Sequence, residues 1–274
     1  MLNAVSQTSL EALLAHEPHA LLITGPVGSG LATIAAHYTA GAKQHVWTVL
    51  PEKDEKIDLE KGSITIDSIR KLYDHTKTVE PNGRIVIIDY AERMAPAAQN
   101  AFLKLLEEPT VGTRFILLTH NPALLLPTIT SRAQKVAMRP ISAQQSNDLL
   151  DTLGVKDATK RSQLLFIAQG LPAELTRLAT DESLFEARVA IVRDAREYIS
   201  GSGYARLLIA KKYKDSRANA LTLLEDAMKQ LQQTIAKGGD AGLLRLAARL
   251  EVLHKRVTEQ GNVRLQLSAA IMVQ

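Results

Sequence analysis

The chain has 274 residues, enough for about two domains, and its 46% hydrophobic and 23% charged content is ordinary for a soluble globular protein. It contains no cysteine, which excludes disulfides, cysteine-ligated zinc, iron–sulfur clusters and a thiol nucleophile, and suits a reducing cytosol. The net charge of +4 lies wholly in the second half: residues 1–139 hold 14 Lys/Arg against 14 Asp/Glu, and residues 140–274 hold 19 against 15, weaker than the basic stripe of a dedicated nucleic-acid binder.

Residues 1–19 read as a short polar helix running into His16-Glu17-Pro18. They show no basic region followed by an apolar run, so no signal peptide is expected. No apolar run reaches the roughly 18 residues of a membrane helix, and a cytoplasmic protein is expected. Ala20 to Thr24 is a short apolar run bounded by Gly25-Pro26 and predicts a buried strand. A glycine-rich turn follows, then helical composition from Leu31 to Ala40. Val46 to Leu50 is a second strand. Pro51 to Gly62, rich in charge, predicts an exposed loop or frayed helix. Ile66 to Val79 places Ile66, Ile69, Leu72 and Tyr73 on one helical face, with Asp67 capping or beginning it.

After the turn Pro81-Asn82-Gly83, Arg84 to Asp89 (RIVIID) is the strongest strand, its consecutive aliphatics fitting a strand covered on both faces. Asp89 stands at its carboxyl end, where open α/β sheets place ligand groups. Ala98, Ala101, Phe102, Leu105 and Leu106 form a helical stripe that Glu107-Glu108-Pro109 ends. Arg114 to Thr119 and Gln134 to Met138 are further strands, with a short apolar turn or helix at Pro122 to Leu126 between them. Strand–helix alternation through residue 139 predicts an α/β domain with a mainly parallel five-stranded sheet. Beyond Pro140 the pattern is helical, as three short helices to residue 180 and then a bundle over 181–274. Its joints fall at Gly201-Ser202-Gly203, Asp215-Ser216 and Gly238-Gly239-Asp240.

The stretch ALLITGPVGSGLAT has the layout of a phosphate-binding loop, strand then glycine turn then helix, in which backbone N–H groups cradle phosphates. The pattern for such a loop is G-x-x-x-x-G-K-[ST]. Gly25, Pro26, Gly28 and Gly30 fit it, but Leu31 stands where the phosphate-binding lysine belongs and Ala32 where the magnesium-binding hydroxyl belongs. An ordinary strand–turn–helix with turn glycines fits this stretch equally well. The seven histidines show no metal-ligand spacing, with His16/His19 and His37/His45 expected to face solvent or pack. Trp47 is expected in the core. The cluster Lys211-Lys212-Tyr213-Lys214 near Arg206 reads first as a solvated helix end, with contact to nucleic acid or an acidic partner as the lesser alternative.

At RIVIIDYAERM, AQNAFLKLLEEP and LLPTITSRAQ the chain resembles bacterial clamp-loader subunits of the AAA+ class, over residues 20–180 and most specifically over 84–134. The resemblance implies a P-loop NTPase-like AAA+ base over 1–139, a helical lid over 140–180 and an all-α collar over 181–274. It also implies a comparison at the nucleotide site. Active members end the strand motif Asp-Glu, where Asp89 is followed here by Tyr90. They carry a γ-phosphate-sensing arginine three residues after a lid glycine, and aligning Gly170 with that glycine puts Ala173 at the arginine. Lysine, hydroxyl, glutamate and sensor arginine are all replaced, so the resemblance implies an ATPase-inactive member. Thr130-Ser131-Arg132 resembles the family's Ser-Arg-Cys motif, with Ala133 for cysteine. There the serine and arginine lie at the start of a helix facing the next subunit, and the arginine reaches that subunit's ATP.

ATP and Mg²⁺ are therefore expected on a neighbouring subunit, not held productively here. The expected partners are ATP-hydrolysing motor subunits, the clamp-opening subunit and, through the assembly, the sliding clamp and primed DNA, with no membrane. Members often carry a four-cysteine zinc module between the loop helix and the Asp strand. Residues 41–63 are too short for one and lack cysteine, so no metal is expected. Two other functions stay open on the residues: a working AAA+ ATPase with an unusual loop, and an AAA+ scaffold that binds DNA in repair.

Overall fold

The computed structural model describes residues 2–16, 18–59, 61–236, 238, 241–259 and 261–269. Two compact units divide at Thr180/Asp181. In the first, α1 (Ala4–Ala15) precedes β1 (Ala20–Thr24), α2 (Leu31–Thr39), β2 (His45–Val49), β3 (Glu52–Lys53), β4 (Lys56–Ile57) and α3 (Ile66–Thr76). Then come β5 (Arg84–Ile88), α4 (Pro96–Glu107), β6 (Thr113–Thr119), α5 (Pro127–Thr130) and β7 (Gln134–Ala137), followed by α6 (Ala143–Thr152), α7 (Ala158–Ala168) and α8 (Pro172–Thr180). The main sheet has the order β2-β5-β6-β1-β7, and every pairing in it is parallel.

Alternation along the central strands divides their side chains between two cores. Leu22, Val86, Ile88, Phe115 and Leu117 pack on one face with Ile69 and Leu72 of α3, Phe102 and Leu105 of α4, and Ile129 of α5. Leu21, Ile23, Ile85, Ile87, Ile116 and Leu118 pack on the other with Leu10 of α1 and Leu31, Ile34 and Ala35 of α2. Phe102 and Phe115 meet edge to face at 5.3 Å. Covering on both faces is why β1 and β5 read as unbroken aliphatic runs. Trp47 on the edge strand β2 packs only partly against the first core, and its ring meets His75 edge on at 3.9 Å.

Three local expectations are corrected. Residues 52–57 form a β-hairpin rather than a loop or frayed helix. Its turn residues Asp54 and Glu55 both take positive φ, at 51° and 61°, a role that Asn-Gly or Asp-Gly normally signals. Tyr73 is 48% exposed and does not share the buried face of α3, where Thr76 is buried instead. The cap of α3 is Thr65, whose side chain accepts from the Ser68 N–H, and Asp67 lies in the first turn.

The second unit holds α9 (Glu182–Ser200), α10 (Gly203–Lys212), α11 (Arg217–Ala236), α12 (Ala241–Thr258) and α13 (Val263–Ala269). The joint at 215–216 falls between helices and that at 201–203 does so through Ser202, with Gly203 opening α10, whereas Gly239 and Asp240 of the third lie outside the described residues. Helix α12 ends at Thr258 and α13 begins at Val263. Ala195, Leu223, Leu224, Ala227, Leu231, Leu250 and Val257 form its core. Arg188 grips Asp226 there through both terminal guanidinium nitrogens, and the Tyr198 hydroxyl donates to the Leu267 carbonyl at 2.7 Å, whereas the buried Arg206 Nε has no partner among the described residues. Of the residues 211–214, Lys212 donates to Asp194 at 2.5 Å and the buried Tyr213 hydroxyl does so at 2.8 Å. Burial, with the Asp194 bond adding to it, pushes the Tyr213 phenol well above its usual range.

Candidate functional site

The parallel order sets β1, β5 and β6 side by side, so the segments leaving their carboxyl ends converge. These are the glycine loop after β1, Asp89-Tyr90 after β5 and His120 after β6. Gly28 and Gly30 take φ of 88° and 81°, which the loop's path requires and which side chains strain to reach. Gly30 caps α2 in the left-handed conformation without any side-chain cap bond. Gly25 stays on the sheet edge, its N–H donating to the Thr119 carbonyl at 3.3 Å.

The loop motif is filled by an aliphatic core residue and covered in part by α8. Leu31, at the lysine position, is 2% exposed and belongs to the α2-side core; its side chain comes within 3.3 Å of where a Cβ on Gly25 would stand. Ala32 faces solvent. The Ser29 hydroxyl is buried and has no partner among the described residues. Ala173 and Glu174, in the first turn of α8, both donate their backbone N–H to the Gly28 carbonyl, at 3.0 and 3.2 Å. These are helix N-terminal donors with no partner inside their own helix. A Cβ on Gly28 would lie 2.9 Å from Glu174 Cβ, and one on Gly30 would lie 3.3 Å from Ala173 Cβ. Helix α8 is thus seated directly on the loop.

On the other side the loop is tied by His120, whose Nδ1 lies 2.8 Å from the Gly25 carbonyl. A carbonyl only accepts, so this nitrogen carries the proton. The backbone N–H of His120 donates to Glu92 at 3.2 Å, and the other Glu92 oxygen is buried without a partner among the described residues. Tyr90 takes a left-handed φ of 53°. Its ring meets His120 edge on at 5.5 Å and lies under the Arg93 guanidinium at 5.7 Å. Asp89 is 9% exposed, and burial raises its carboxyl above the usual carboxylate range against the opposing Tyr90 N–H bond at 2.9 Å. Among the described residues no cluster of three His, Cys, Asp or Glu side chains is arranged to hold a metal ion.

The segment Thr130-Ser131-Arg132 lies after β6, in and beyond α5. Ser131 and Arg132 sit at the end of the short helix α5, not at the start of one: Pro127 opens that helix and Ser131 is its C-cap. Proline at the first position sets this register, and β7 begins two residues after Arg132. Both residues are exposed. Arg132 donates through Nη2 to Glu107 at 2.7 Å and through Nη1 to the Thr128 carbonyl at 3.1 Å.

Gln99 is a residue that sequence reasoning missed. It is 4% exposed on α4. Its amide donates to the Met94 and Leu124 carbonyls, both at 3.1 Å, and its oxygen accepts from the Leu126 N–H at 2.8 Å. It therefore joins the segment after Asp89 to the segment that leads into α5. A polar residue inside an otherwise apolar helical stripe (Ala98, Phe102, Leu105) was the available signal.

The chain is similar to several known proteins. Residues 42–142 match the family described as DNA polymerase III, delta subunit. The chain is 29% identical over 212 residues to the DNA polymerase III subunit delta' of Pseudomonas aeruginosa, covering 68% of this chain and 62% of that one. It is 30% identical over 178 residues to replication factor C subunit 2 of Arabidopsis thaliana, covering 62% and 50%. It thus spans about three fifths and one half of these relatives' lengths. A DNA polymerase III gamma subunit-related protein of Thermotoga maritima superposes with a TM-score of 0.55 at 19% identity, over 96% of both chains, a likeness of fold. The family match over residues 42–142 and the delta' relatives make the chain similar to DNA polymerase III delta' subunits.

Proposed function

We propose that this chain is a non-catalytic subunit of a DNA polymerase III sliding-clamp loader. It supports ATP-driven clamp loading in DNA replication and supplies Arg132 to the ATP site of an adjacent motor subunit. The observation that carries the reading is one pairing: an own loop stripped of charge and sealed by α8, beside an exposed arginine in the TITSR motif. A planar guanidinium can stabilise charge developing on a transferring γ-phosphoryl, and such fingers are worth about 10³–10⁵ in rate where best measured. Lysine cannot reproduce the fork. The partners of this reading are motor subunits, the clamp-opening subunit and, through the assembly, the clamp and primed DNA.

The loop itself speaks against turnover by this chain. Phosphate binding at a helix N-terminus relies on free N–H groups and a nearby cation, and here the lysine is an aliphatic side chain packed in the core. Titrating the isolated chain with a fluorescent ATP analogue and Mg²⁺ is expected to give no saturable binding at micromolar concentration. Stoichiometric micromolar binding would overturn the non-catalytic part of the reading.

A further inference from the structure

Resting on that reading, we propose that Glu107 is a positioning residue for the trans-acting arginine, holding the Arg132 guanidinium in one orientation. Glu107 is the last residue of α4, where the negative end of the helix dipole disfavours a carboxylate. It caps nothing there: the cap bond at that end is made by the Glu108 backbone N–H to the Lys104 carbonyl. Its carboxylate instead meets Arg132 Nη2, distant in sequence, at 2.7 Å. The Thr128 carbonyl takes Nη1 at 3.1 Å. Of the five guanidinium N–H donors, these two bonds occupy one on each Nη. Nε–H and the second N–H of each Nη remain to meet an oxyanion.

The two anchors fix the plane of the fork from two elements that share one core, since Leu105 of α4 and Ile129 of α5 pack together on that face of the sheet. An exposed arginine without such anchors samples many rotamers, and ordering it on contact with a phosphate costs side-chain entropy. The pair is half exposed, 38% on Arg132 and 50% on Glu107, so its effect is modest. Glu107 acts through Arg132 and itself touches no reacting atom.

The test is DNA-stimulated ATPase of the reconstituted loader carrying wild-type chain, Glu107→Ala, Glu107→Gln or Arg132→Ala, with assembly checked by gel filtration and each chain's Tm measured. The expected result for Glu107→Ala is a fall in kcat of about two- to fivefold, the range of an exposed ion pair. KM for ATP, assembly and Tm should be unchanged. Glu107→Gln, which keeps an acceptor for Nη2, restores most of the rate. A merely structural role would lower Tm or assembly together with kcat, and that result overturns the proposal. So does wild-type or faster turnover by Glu107→Ala when Arg132→Ala is slow. If Arg132→Ala itself turns over at the wild-type rate, the finger reading fails first and the positioning role falls with it.

Discussion

Asp89 shows how a residue can keep its identity in altered surroundings. It stands at the strand end where an active site would use it, but burial has raised its carboxyl, which accepts from the next residue's N–H. An unfolded carboxyl ionises at lower pH than a folded one so raised. Stability from this group is therefore full below the usual carboxylate pKa and is lost as pH rises through the folded value. Asp89→Asn keeps an acceptor for Tyr90 and removes the buried charge. It should raise Tm by about 1–3 °C at pH 7, and the gain should shrink toward zero near pH 3, as thermal melts at both pH values would show. An equal gain at both would contradict the burial account. Gln99 predicts the opposite sign. Gln99→Ala strands the Leu126 N–H and the Met94 and Leu124 carbonyls, and should cost about 2–4 kcal/mol in denaturant titration. A cost under about 0.5 kcal/mol would mean that water replaces its bonds.

Among the elements, the seat of α8 on the glycine loop decides what restoring the motif can do. Two backbone bonds to Gly28 and close packing at Gly28 and Gly30 keep the loop covered whatever side chains stand at 31 and 32. The double change Leu31→Lys with Ala32→Thr should therefore not confer ATP binding, measured calorimetrically with Mg²⁺. It should lower stability, because an ammonium enters a core position that is 2% exposed. Micromolar ATP binding by that variant would show that the missing lysine and hydroxyl were the whole defect. The strands and their parallel arrangement were legible because aliphatic runs such as RIVII can be buried only on both faces of a sheet. The substituted positions Leu31 and Tyr90 were legible because the motif fixes their spacing. The seat of α8 was not, since it is made of backbone N–H groups and a carbonyl, which no residue identity encodes. The hairpin at 52–57 was hidden for a related reason: Asp54 and Glu55 adopt a backbone usually signalled by glycine or asparagine. The bonds of His120 and Gln99 join residues far apart in sequence.

For the whole molecule, the chain divides its labour between a first unit that carries both the closed loop and Arg132 and a helical second unit with its own core. Among the described residues no helix is long and apolar enough to cross a membrane. The delta' relatives extend beyond the matched region, so what the assembly does with this chain rests on reconstitution. The central claim is that a subunit with a sealed site of its own completes a neighbour's. The most direct test is DNA-stimulated ATPase of the reconstituted loader with Arg132→Ala in place of the wild-type chain, at equal assembly. The account predicts a fall in turnover on the order of tenfold or more, scaled down from the best-measured fingers. Turnover at the wild-type rate would contradict it and leave Arg132 a surface residue paired with Glu107.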